Sequence, residues 1–81
     1  GKQSYEERKE QAKLRRKLEK EVEKCEAEVS RLEAEKQAIE AKLATPEGAS
    51  DTALFTEYSH IQQALKQAED AWESAMEALE K

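Results

Sequence analysis

Eighty-one residues with 41% charged side chains, one Pro and two Gly leave room for one small domain over residues 1–81, without a large core. The formal charge of −5 is unevenly spread: residues 1–20 hold eight Lys and Arg against four Glu (+4), and the other 61 hold six against fifteen acids (−9). A single cysteine forms no internal disulfide, a lone His60 builds no metal site, and no apolar run reaches the length of a membrane span, so a reducing, cytoplasmic setting without a membrane is expected.

The chain opens Gly1-Lys2 without an initiator Met, as a C-terminal piece of a larger protein would. Ser4 followed by Glu7 has the form of a capping box, which predicts a first helix from Tyr5, with Glu6, Glu7 and Glu10 near its positive end. Neither Gly nor Pro interrupts the run to Leu43, so one helix over about 5–43 is expected. Within it Leu18, Val22, Cys25, Val29, Leu32, Lys36, Ile39 and Leu43 alternate by four and three, a heptad seam whose one polar member is Lys36. Val22, Val29, Lys36 and Leu43 take position a; Leu18, Cys25, Leu32 and Ile39 take d.

Residues 44–51 carry turn chemistry. Pro46 disfavours helical geometry at Thr45, Gly48 can adopt positive φ, and Ser50 or Asp51 can cap a second helix over about 52–80. That helix repeats the seam at Leu54, Tyr58, Ile61, Leu65, Ala68, Trp72, Ala75 and Leu79. Folded back, the two seams mesh when facing residue numbers sum to 97: Cys25 then meets Trp72, and Val22 and Val29 meet Ala75 and Ala68. Bulky residues face small ones, which selects this register. The fold class is therefore all-α, a two-helix antiparallel coiled-coil hairpin. Leu14 would need a partner numbered 83, so the first helix overhangs, and residual apolar surface is expected at Phe55, Trp72 and Met76.

The overhang and the next turn contain Arg8, Lys9, Lys13, Arg15, Arg16, Lys17 and Lys20. Spacings of three, four and seven let many of these share a broad face and meet consecutive phosphates, so they are the candidate nucleic-acid-binding residues; the competing reading is a solvated helix face. With no base-reading motif, such binding would follow charge and shape. No catalytic residue is assigned. The chain lacks a G-x-x-x-x-G-K-[ST] loop, its glutamates line no cleft, and Cys25 on the seam reads as a buried structural thiol. No cofactor or metal is expected within these residues.

Ser4-Tyr5-Glu6-Glu7-Arg8-Lys9-Glu10, the loop Ala44-Thr45-Pro46-Glu47 and the late Trp72 together resemble the C-terminal coiled-coil domain of ABC-F ATPases, Uup-like members included. Ala75 departs from the Leu that many relatives carry three residues after the Trp. The resemblance implies a parent ATPase using ATP and magnesium, acting on the ribosome in translation. It also implies a non-catalytic arm that contacts DNA, ribosomal or transfer RNA, or the ATPase cassettes; DNA binding has been attributed to such domains in Uup-like members. Two other readings compete: a structural or protein-interaction coiled coil without nucleic acid, and the tRNA-binding arm of an aminoacyl-tRNA synthetase. The arm of the valyl enzyme is similar in outline, but its Phe-Val and Ala-Pro turn residues are missing from Thr45-Pro46-Glu47-Gly48.

Overall fold

The computed structural model describes residues 2–81; Gly1 and the side chain of Lys2, one of the eight cations in the N-terminal charge balance, lie outside the described residues. Three helices follow one another: α1 (Lys2–Leu43), the single-turn α2 (Pro46–Ala49) and α3 (Thr52–Glu80). α1 and α3 pack antiparallel into a rod with extents of 70 × 15 × 14 Å, the expected hairpin.

Both long helices close along the seam. Val22, Cys25, Leu32, Ile39, Leu54, Leu65 and Ala75 are buried, every one at an a or d position. Val22, Cys25 and Ala75 form one cluster against which Trp72, Met76 and Leu79 pack, so the residues that the register of 97 pairs at this end, Cys25 with Trp72 and Val22 with Ala75, share one cluster. Two hydrogen bonds cross the seam: the Tyr58 hydroxyl donates to Glu40 (2.8 Å) and the Trp72 indole N–H to Glu26 (3.4 Å). In both, the residue numbers sum to 98, one step from the facing layer, which fixes the register of 97 at each end of the hairpin. Of the three residues expected to leave residual apolar surface, Phe55 is exposed, while Trp72 and Met76 are half-buried against the cluster; Met76, one step past Ala75, lies on the flank of the seam.

Two other expectations are corrected. α1 already runs at Lys2, so Ser4 stands inside its first turn and is not the N-cap; that turn carries no acid. Lys2 and Gln3 are good helix formers, and they extend the helix past the capping signal. Gly48 has no positive φ. It lies inside α2, where a Cβ would stand 1.8 Å from the carbonyl oxygen of Lys42 and 2.6 Å from its carbon. The glycine is needed for close approach of two backbone segments, not for a left-handed turn.

Around that approach side-chain caps hold the turn. The Thr45 hydroxyl donates to the Lys42 carbonyl (2.7 Å) and accepts from the Gly48 N–H (3.0 Å), capping α2, whose first residue is Pro46. Ser50 closes α2, and Asp51 caps α3 by accepting from the Leu54 N–H (3.2 Å). Of the two expected caps, Asp51 is the one used.

Candidate nucleic-acid interface

α3 runs to Glu80, beside residue 17 of α1 in the register above, so among the described residues the N-terminal part of α1 has no facing helix. Arg8, Lys9, Lys13, Arg15, Arg16, Lys17 and Lys20 are all exposed on this projection and the turn that follows it. Helical geometry divides them. Lys9, Lys13, Arg16 and Lys20 succeed one another at four, three and four residues, the spacing of a single ridge about 16 Å long at 1.5 Å per residue. Arg16 and Lys20 each stand two residues from the seam residue Leu18, about 160° round the helix, so this ridge runs along the back of the hairpin.

Arg8 and Arg15 lie elsewhere. They are spaced by seven and continue the a positions of Val22, Val29 and Lys36 into the overhang. There they line an open groove of about 720 Å³ with Leu14 and Leu18 of α1 and Leu79 of α3. Lys17 stands on the flank between ridge and groove. The broad basic face expected from spacing is therefore two surfaces, and the heptad numbering of Arg8 and Arg15 already separates them.

Among the described residues, ion pairs involve only Arg15 and Arg31. Arg15 reaches Glu19 at 3.1 Å, while Arg31 bridges Glu28 and Glu35, the latter at 2.8 Å. Hydrogen bonding to Arg31 holds the Glu28 carboxyl below its ordinary range and raises the guanidinium's own pKa in turn. No cation of the back ridge is in an ion pair. Its positive charge faces solvent without a bonded counter-charge.

Cys25 is buried, and its thiol points to Glu21 (4.0 Å) within α1; His60 is exposed. Among the described residues no group of three or more His, Cys, Asp or Glu is placed to hold a metal ion, and no helix is long and apolar enough to cross a membrane. A second groove, of about 420 Å³, was not foreseen from the sequence: Glu26 and Glu33 of α1 and Glu69 and Glu73 of α3 surround Trp72 and Val29. It becomes visible only once the two helices are in register.

A family model described as the ABC transporter C-terminal domain matches residues 13–81, which spans both seams, the turn and Trp72. The chain belongs to that family. As an ABC transporter C-terminal domain it is a non-catalytic, elongated all-α arm, and the match takes in Lys13, Arg16 and Lys20 of the ridge. No curated protein and no solved structure matches the chain.

Proposed function

We propose that this domain is the phosphate-contacting arm of an ABC-F ATPase of the Uup-like kind, holding DNA or structured RNA, ribosomal RNA included, through the back ridge of α1. The observation that carries the reading is the ridge itself. Lys9, Lys13, Arg16 and Lys20 form one line opposite the packed seam, with no ion-pair partner to compete for a phosphate. A line of cations without aromatic platforms or base-edge readers contacts backbone, so recognition is electrostatic and insensitive to sequence. The ABC-F assignment rests on the Ser4–Glu10 stretch, the Thr45-Pro46 turn and Trp72, within a chain of the ABC transporter C-terminal domain family. It carries with it a cytoplasmic parent with two ATP- and magnesium-binding cassettes, against which the arm can also rest.

Anisotropy titration of labelled duplex DNA and structured RNA tests the ridge. Four neutralised phosphates give a salt slope of about −3.6, hence about 150-fold weaker duplex binding at 200 mM than at 50 mM salt. Arg16→Glu/Lys20→Glu should abolish binding at the higher salt. Lys42→Glu/Lys66→Glu, with the same change in net charge away from the ridge, should retain it. Equal losses in the two pairs would reduce the effect to net charge and refute the ridge. Two P-loop cassettes upstream in the parent sequence would support the ABC-F assignment, and their absence would discard it.

A further inference from the structure

Among the described residues the overhang packs against no other helix, with Tyr5 69% and Leu14 57% exposed. Tyr5, Arg8, Ala12 and Arg15 succeed one another at three, four and three residues and form one stripe beside the seam, distinct from the back ridge. Farther along the same molecule lies the second groove, lined by four glutamates and by no lysine or arginine, with the half-buried ring of Trp72 at its base. The two surfaces match in charge and in spacing. Arg8 and Arg15 are seven residues apart, and so are Glu26 and Glu33 on the groove's α1 wall.

We propose that two copies of this chain associate antiparallel, each overhang lying as a third helix in the acidic groove between α1 and α3 of the other. In that arrangement Arg8 faces Glu33 and Arg15 faces Glu26 of the second copy, a constant sum of 41. The two-fold axis then crosses α1 between residues 20 and 21. Ala12 meets Val29 and its neighbour Ser30, small side chains that let the helices approach, and Arg15 arrives beside Trp72, where the indole face favours a guanidinium. The reverse, parallel alignment also pairs the charges but repeats head to tail without end. Only the antiparallel one closes on itself and satisfies both grooves, as isologous dimers do. Isolated surface ion pairs contribute little. Here they act with the burial of Tyr5, Ala12, Val29 and Trp72, and every contact occurs twice.

The proposal is independent of nucleic-acid binding, since it uses Arg8 and Arg15 and leaves the back ridge outward. Sedimentation equilibrium of the 81-residue chain at low salt, from micromolar to millimolar concentration, should show the 9.2 kDa mass doubling. Arg8→Glu/Arg15→Glu should remain monomeric, as should Glu26→Arg/Glu33→Arg. Mixed in equal amounts, the two variants should form a heterodimer, because the acidic overhang then faces the two new arginines on the α1 wall of the other groove, while the basic overhang faces a groove that keeps all four glutamates. Unchanged helical circular dichroism in both variants separates loss of association from loss of fold. A wild-type chain that stays monomeric throughout would overturn the proposal. So would variants that dimerise alone, or a mixture that does not associate.

Discussion

Replacing Gly48 with alanine reverses sign between two lines of reasoning, and this makes it the most informative substitution in the hairpin. Gly48 is helical and has no positive φ, so helix propensity alone predicts that Gly48→Ala stabilises the protein by about 1 kcal/mol. The close approach predicts the opposite. The new Cβ would stand 1.8 Å from the Lys42 carbonyl oxygen, where ordinary contact begins at 3.4 Å, and the obstacle is backbone that cannot rotate away. Relief requires a movement of about 1.6 Å, the difference of those distances, between the end of α1 and α2. That movement breaks the Thr45 hydroxyl cap on the Gly48 N–H and strains both Thr45 bonds to the Lys42 carbonyl. A lost N-cap costs about 1 kcal/mol and each displaced hydrogen bond about as much, so a net loss of about 2 kcal/mol is expected. For a domain of this size that lowers Tm by about 8–16 °C. Urea titration followed by helical circular dichroism measures it directly. Gly48→Ala as stable as the wild type, or more so, would refute the close-approach argument.

Other substitutions probe the remaining supports. Asp51→Ala removes the acceptor for the Leu54 N–H and should cost about 1 kcal/mol in the same urea titration, with Asp51→Asn retaining most of it. Leu32→Ala, at the most buried seam position, should cost about 2–3 kcal/mol, near the low end for leucine because a two-helix core lets water reach the space. Lys36→Leu at its half-buried a position should raise the urea midpoint, since the lysine places a charge where the seam is apolar. The Tyr58 phenol, donating to the Glu40 carboxylate, is held above its ordinary pKa of 10.0. A raised folded-state pKa means that the contribution is complete below the unfolded value of about 10 and is lost as pH climbs through the folded one. Absorbance titration at alkaline pH should show Tyr58 ionising above its ordinary range, and Glu40→Gln should bring it back toward that range.

The seam was legible because period and size both constrain it. Alternation by four and three names the buried residues, and the pairing of Trp72 with Cys25 and of Val22 with Ala75 leaves one register. Local signals were less decisive where two physical causes leave the same letter. A glycine in a turn serves positive φ or close approach equally well, and only the path of the chain between Lys42 and Gly48 shows which applies. Ser4 and Glu7 have the spacing of a capping box, yet nothing in Lys2-Gln3 stops the helix from beginning earlier. The acidic groove could not be read along the chain, because Glu26 and Glu33 come from α1 whereas Glu69 and Glu73 come from α3.

The unequal length of the helices joins these observations to function. α1 has 42 residues and α3 has 29, so among the described residues pairing them from the turn outward leaves the N-terminal stretch of α1 without a facing residue. Had that stretch continued the apolar seam, it would be a sticky end prone to unspecific association. Instead its a positions are Arg8 and Arg15, and its back carries Lys9, Lys13 and Arg16, with Lys20 following in the next turn. Charge on both sides keeps the overhang in water while leaving it able to meet acidic surfaces in two directions. A phosphate backbone suits the ridge, where four cations stand in line without a seam residue between them. The groove side, where Arg8 and Arg15 alternate with Leu14 and Ala12, suits a protein surface that is both acidic and apolar, and the Trp72 groove of a second copy is such a surface. The two proposed contacts of the overhang therefore fall on different helix faces, and variants of one face should leave the contacts of the other in place.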